Sequence, residues 1–313
     1  MTQKKRILIT GAAGLVGQNL MVRLKDNENA EIIAIDKHPE NSTIFRKLHP
    51  EIQFIEANLA HEGDWAEAFV DIDVVVMNHA QIGAVDKRPF LENNINASRN
   101  ILDAMKQHNV PYLVHISSSV VKSEADDFYI WSKSEQEKMV LESGINCVVL
   151  RPTLMFGWFD RKHLGWLARF MRKAPVFPIP NFGKYIRQPL YAGDFANVII
   201  SAIFKPKIGE IHDISGREKI CYVDIIKMVR KSSGARAMIL YIPYHLFWVL
   251  LKVYAVIDRN PPFTTNQLEA LVIPEEFAVT DWPTLFGVEA TSVEDALKAT
   301  FGDPEYSKIV LEF

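Results

Sequence analysis

The chain reads as an α/β protein, a Rossmann-type doubly wound parallel sheet with a smaller, mostly helical C-terminal substrate lobe. Three observations predict this. Short β-rich apolar runs alternate with helical periodicity through the first half, the pattern of a parallel sheet covered on both faces. A glycine-rich turn follows the first run at once. After Arg151-Pro152 the texture changes to a stretch with Pro175, Pro178, Pro180, Asn181 and Gly183, then to short helices punctuated by proline.

The first strand, Ile7-Leu8-Ile9, runs into Gly11, Gly14 and Gly17 at G-x-x-G-x-x-G spacing, ahead of the helical pattern Leu15, Leu20, Val22 and Leu24. Gly11 permits the bend, Gly14 lets the backbone approach a pyrophosphate, and Gly17 lets the helix pack close to the sheet. The helix N-terminus then holds the phosphates through its N–H groups and dipole, so Ala13, Leu15 and Val16 join the three glycines in the cradle. Further strands are expected at 31–36, 53–58, 73–78, 112–117 and 147–150, and helices at 61–70, 90–108, 129–141 and 194–204. From about Gly209 onward the pattern predicts mostly short helices. This divides the chain into a dinucleotide-binding domain, 1–155 with a returning segment 189–215, and a substrate lobe, 156–188 and 216–313.

Composition bounds the function. At 313 residues, 48% hydrophobic and 23% charged, the chain can bury a substantial core. A net charge of −3 lacks the basic footprint of a nucleic-acid binder. Cys147 and Cys221 suit a reducing compartment and have no metal-ligand spacing, so no metal is expected. No apolar leader precedes the first strand and no run reaches the ~20 residues of a spanning helix; the expectation is a cytoplasmic protein.

Ligands of such sheets bind beyond the strand C-termini. Asp36 ends the second strand, where an acid accepts hydrogen bonds from the adenosine ribose and repels a 2′-phosphate. NAD is therefore expected over NADP, although Lys37 beside Asp36 could partner a phosphate. Asn58 and Leu59 end the third strand and could flank the adenine; His79 and Ala80 end the fourth, with His79 either at the cofactor or satisfied by its neighbours.

The fifth strand ends in Ser117-Ser118-Ser119, and Tyr129 and Lys133 follow as Y-x-x-x-K. Residues four apart share a helix face. A free tyrosine has a pKa near ~10, and an ammonium beside it favours the phenolate. A serine on the same substrate oxygen completes a trio able to move a proton at a carbinol or carbonyl while a nicotinamide moves the hydride.

With Asn94-Ile-Asn-Ala-Ser-Arg-Asn100, Ile116-Ser-Ser-Ser119 and Arg151-Pro-Thr-x-x-x-Gly157, these motifs resemble the extended short-chain dehydrogenase/reductase family over nearly the whole chain. The nearest branch is that of nucleotide-sugar epimerases and reductases such as UDP-galactose 4-epimerase. The resemblance implies Ser118 as the central serine with Ser119 a contender, Asn94 as the family's helix asparagine, and Ile116 and Pro152 as strand-end cofactor contacts. In Arg187-Gln-Pro-Leu-Tyr191-Ala-Gly-Asp194 it implies that Arg187 binds a nucleotide diphosphate, for which a guanidinium fork is suited, with Tyr191 in place of the usual histidine. It also implies a homodimer. Ser119-Val120 replaces the Asp-Glu of the dehydratases, leaving water elimination without its acid and base.

The expected function is thus NAD-dependent epimerisation of a nucleotide sugar through a keto intermediate. The alternatives are ketoreduction, epimerisation of a lipid-linked sugar, and a nucleotide-binding scaffold similar to the accessory subunit of respiratory complex I, which Pro262-Phe-Thr-Thr-Asn-Gln-Leu-Glu269 resembles. The apolar stretch Ile242–Ile257 is expected to be a buried helix of the substrate lobe, with a peripheral membrane contact as the rival reading.

Overall fold

The apolar runs of the first half pair side by side because each must bury both of its faces. The computed structural model describes residues 4–123, 127–257, 264–274 and 276–312. Its first half contains β1 (Lys5–Thr10), α1 (Leu15–Leu24), β2 (Ala30–Asp36), α2 (Pro39–Leu48), β3 (Gln53–Glu56), β4 (Val74–Met77), α3 (Arg88–Phe90), α4 (Ala97–Gln107), β5 (Leu113–Ile116), α5 (Phe128–Glu142) and β6 (Cys147–Pro152). There follow β7 (Met155–Phe156), α6 (Leu164–Lys173), β8 (Val176–Pro180), β9 (Ile186–Arg187), β10 (Leu190–Tyr191), α7 (Ala192–Phe204), β11 (Ile211–Ile214), β12 (Ile220–Cys221), α8 (Tyr222–Ser233), β13 (Met238–Ile242), α9 (Tyr244–Ile257), α10 (Thr265–Val272), α11 (Trp282–Phe286) and α12 (Val293–Gly302).

The main sheet has seven parallel strands in the order β11-β6-β5-β4-β1-β2-β3. Alternate residues of one strand feed opposite cores: Ile7 and Ile9 enter the layer under α1 and α7, and Leu8 enters the layer under α4 and α5. The order in which strands are added reverses at β1 and β4, so the crevice of this fold opens over their C-terminal ends. A third core, with Phe156, Met171, Phe177, Tyr222, Ile226 and Leu297, is built from residues that follow β6.

Several expectations change. Residues 211–214 form β11 rather than helix, an edge strand whose sequence Ile-His-Asp-Ile lacks an apolar run. The proline-rich stretch contains β8, which pairs only with β13; with one neighbour, it tolerates Pro178 and Pro180, which have no N–H to donate. Ile242 therefore ends a strand, and the apolar helix starts at Tyr244. The 61–70 helix is a 3-10 segment, Asp64–Phe69. The 90–108 helix is interrupted by a π-helical stretch, Leu91–Asn96, at Asn94, a device common at functional sites. The motif segment 262–269 lies partly outside the described residues.

The apolar helix also departs from expectation in its burial. Phe247 is buried, but Leu246, Val249, Leu250, Val253 and Tyr254 are exposed.

Candidate active site

The glycine turn is built to leave one side open. Gly11 has φ +62°, and a Cβ there would lie 2.7 Å from the Cα of His79, so β1 and β4 meet at this point. A Cβ on Gly17 would lie 2.4 Å from the carbonyl oxygen of Ala12, so Gly17 packs α1 against the turn itself. On Gly14 a Cβ would come no nearer than 3.4 Å to other atoms, making this the position that a ligand can approach. Gly14 is the N-cap of α1 without a side-chain cap, which leaves the first-turn N–H groups of Leu15, Val16 and Gly17 free of intrahelical acceptors. The Asp36 carboxylate is fixed beside this cradle by the backbone N–H groups of Ala13 (2.9 Å), Lys37 (2.7 Å) and His38 (3.0 Å). Carboxylate oxygens keep further acceptor sites for ribose hydroxyls. The Lys37 ammonium is instead engaged by Asn93 Oδ1 at 2.5 Å, and burial lowers its pKa against the pull of Glu92 and Asp36. The residues present thus fit NAD.

The flanking strand ends are tied to helices. Asn58 Oδ1 accepts from Ala60 N at 3.2 Å, and the carbonyl of buried Leu59 accepts from Asn100 Nδ2 at 2.9 Å. Asn78 donates to the Gly11 carbonyl at 3.0 Å. His79 is satisfied on both ring nitrogens, Nδ1 by Thr10 Oγ1 at 3.0 Å and Nε2 by Ser98 Oγ at 3.2 Å. Burial, then Lys133 and Lys37, push its pKa down to about 3, so the imidazole is neutral. Ala80 is exposed. Buried Asn94 accepts from Gln81 N at 2.7 Å and donates to Ser132 Oγ at 2.8 Å, joining the loop after β4 to the start of α5.

Ser118, Tyr129 and Lys133 come together at the end of β5. The Tyr129 phenol is bonded by Ser118, and that contact lowers its pKa, but burial outweighs it and Asp127 adds to the rise. Lys133 is fully buried; its Nζ donates to the Ile116 carbonyl at 2.9 Å and to Gln136 Oε1. Burial lowers the Lys133 pKa to about 7 against the pull of Glu137. The expectation that Lys133 depresses the Tyr129 pKa is corrected here: the net shift of the phenol is upward, and the ammonium is held by other acceptors.

Sequence reasoning missed the supports of this trio. Gln136 Nε2 donates to Ser98 Oγ at 2.7 Å and so connects Lys133 to His79. Ser117 turns away to Glu137 at 2.5 Å, and Glu137 also accepts from Arg151. Ser119 starts the short turn after β5. The available signal was spacing, since Gln136 and Glu137 follow Lys133 by three and four residues on one helix. Pro152 ends β6 and is buried.

Arg187 and Tyr191 are held by other partners in the structure. Arg187 donates to the carbonyls of Ile186 (2.9 Å), Ile273 (2.7 Å) and Leu271, and its guanidinium lies over the Tyr185 ring. Buried Tyr191 packs on Phe156, and its hydroxyl accepts from Arg23 Nη2 at 3.2 Å.

Comparison with known proteins agrees with this fold. Residues 7–214 match the model of the NAD dependent epimerase/dehydratase family. An uncharacterized UDP-glucose epimerase of Bacillus subtilis is 26% identical over 264 residues, 74% of this chain and 83% of that one. The dTDP-4-dehydrorhamnose reductase of Aggregatibacter actinomycetemcomitans is 23% identical over 297 residues, 88% of this chain and 95% of that one. The structure of UDP-glucuronic acid 4-epimerase from Bacillus cereus in complex with NAD superposes with a TM-score of 0.76 at 24% identity, covering 95% and 97% of the two chains. The chain therefore belongs to the NAD-dependent epimerase/dehydratase family and is an NAD-dependent enzyme of the extended short-chain dehydrogenase type.

Proposed function

We propose that the protein epimerises a nucleotide sugar through a transient keto-sugar. The observation that carries this reading is the Ser118–Tyr129 contact beside buried Lys133, at the strand end next to the glycine cradle. NAD, when bound, supplies reversible acceptance of a hydride. The chain supplies the proton handling. Tyr129, as the phenolate once its own proton has passed to solvent, takes the hydroxyl proton as the C–H hydride leaves the same carbon, and the carbonyl forms. After the keto-sugar turns over in the site, Tyr129 returns the proton as hydride re-enters on the other face, so no net oxidation occurs. Ser118 orients the reacting oxygen, and Lys133, with one N–H beyond those given to Ile116 and Gln136, holds the cofactor ribose. Arg187 would exchange the carbonyls of Leu271 and Ile273 for diphosphate oxygens on substrate entry. Tyr191 is left out, because Arg23 already holds its hydroxyl.

Ketoreduction uses the same residues, and the full-length similarity to a dTDP-4-dehydrorhamnose reductase makes it the second reading. The experiment is to incubate the purified protein with UDP-, GDP- and dTDP-sugars and follow the sugar by NMR, with and without added NADH. Epimerisation proceeds without added NADH; product that appears only as NADH is consumed selects the reductase. Tight NAD binding with no turnover on any of them would retire both in favour of a scaffold. A homodimer through α4 and α5 belongs to the same proposal, and sedimentation equilibrium that returns a monomer removes it.

A further inference from the structure

The second lobe carries an apolar surface that the catalytic proposal does not use. Along α9, Leu246, Val249, Leu250 and Val253 recur at helical spacing on one exposed stripe. Immediately before it in the chain β13 exposes Met238, Leu240 and Tyr241, and the Phe182 ring lies tilted near Tyr241 with centroids 5.8 Å apart. Phe182 is 65% exposed although its backbone, like that of Asn181, is left-handed (φ 62° and 50°). A bulky residue held in that strained region to present an apolar ring to water indicates a use for the ring.

The fringe of the patch says what it meets. Lys184, two residues after Phe182, Arg236, two before β13, and Lys252 on α9 are exposed, and Lys184 and Arg236 enter no ion pair among the described residues. Lys252 lies over the Trp248 ring at 5.0 Å, and Glu269 accepts from the Trp248 indole at 3.2 Å. Apolar side chains bordered by Trp, Tyr and free cations match the boundary between acyl chains and anionic headgroups. A contact between copies would instead need acidic residues of the second copy opposite Lys184, Arg236 and Lys252, whereas an anionic surface meets all three at once. The 14 residues of α9 are too few to cross a bilayer. We propose that this face seats α9 in the plane of an anionic phospholipid surface.

The test is flotation of the full-length protein with vesicles of phosphatidylcholine alone or mixed with phosphatidylglycerol, at low and high salt. Wild type is expected to float with the anionic vesicles and to be released by salt. Leu250→Glu/Val253→Glu should reduce the bound fraction about tenfold or more, with near-UV circular dichroism unchanged because both side chains are already exposed. Lys184→Glu/Arg236→Glu, on separate elements, should abolish the preference for phosphatidylglycerol. Wild type that stays in the dense fraction overturns the proposal, as does equal flotation of the acidic double variant. Self-association of wild type without vesicles, lost in Leu250→Glu/Val253→Glu, would assign the face to a second copy. These readouts involve no sugar, so they stand or fall apart from the catalytic reading.

Discussion

The glycine turn and α9 treat their surfaces in opposite ways. On its protein-facing side the turn has no spare room: a single added carbon on Gly17 or Gly11 would overlap backbone atoms, and Asp36 and His79 have defined partners. On α9 a row of large apolar side chains, Leu246, Val249, Leu250 and Val253, is exposed. The contrast separates residues set by the interior of the fold from residues whose partner lies beyond the chain. The first kind should respond to small changes even without ligand, and the second should be almost indifferent until its partner is supplied.

Substitutions can break that contrast. The largest effect is expected from Tyr129→Phe, which removes the proton acceptor; kcat on any sugar that wild type turns over should fall about a thousandfold, and an unchanged rate would remove Tyr129 from the mechanism. Gly17→Ala should destabilise by about 3 kcal/mol in urea titration, since its Cβ meets the Ala12 oxygen at 2.4 Å; a loss within experimental error would mean that the turn relaxes easily. Gln136→Leu takes an acceptor from Lys133 and a donor from Ser98, and should destabilise by about 2 kcal/mol. It should also move the Lys133 limb of the activity–pH profile to lower pH, whereas Gln136→Glu moves it higher.

A smaller effect is expected in stability against pH. The folded-state pKa of Lys133 is lowered to about 7 from 10.5, so between these values the unfolded chain binds the extra proton. Stability contributed by this group is therefore lost as pH falls through the window and gained as it rises, by about 1 kcal/mol per pH unit. Denaturant titrations at pH 7 and 9 should show the gain in wild type and lack it in Lys133→Met. The smallest effect belongs to Leu250→Ser, expected to leave stability within about 0.5 kcal/mol when no vesicles are present. A loss of several kcal/mol there would show that α9 is packed in solution and dissolve the contrast.

The same division explains what could be read from the sequence. Features set by neighbours along the chain were legible: the strand before Gly11, the acid at Asp36, and the four-residue step from Tyr129 to Lys133. Features set by distant pairing were not. Val176–Pro180 becomes a strand only because Met238–Ile242 lies beside it, and the prolines argued locally for a loop. Residues 211–214 are strand because β6 offers an edge. In the site, the direction of the Lys133 ammonium depends on Gln136, Ser98 and His79, which no local pattern links. The motif predicts Arg187 as a phosphate ligand, but no local pattern announces that the carbonyls of Leu271 and Ile273, at the end of α10, hold its guanidinium in the absence of substrate.

The neutral imidazole of His79 also gives the floor of the crevice a polarity. Lys133 donates to Gln136, which donates to Ser98; the Ser98 hydroxyl is then free to donate to His79 Nε2, placing the ring proton on Nδ1 toward Thr10, whose hydroxyl reaches the Val76 carbonyl at 3.5 Å. Every bond in this row points the same way, from an ammonium to a main-chain oxygen of the central sheet. A second proton on His79 would make both ring nitrogens donors and force the Ser98 hydroxyl to reverse. The aim of Lys133 is thus linked to a tautomer in the loop after β4, 54 residues earlier in the chain, and the crevice floor behaves as a one-way row of dipoles with its positive end at Lys133.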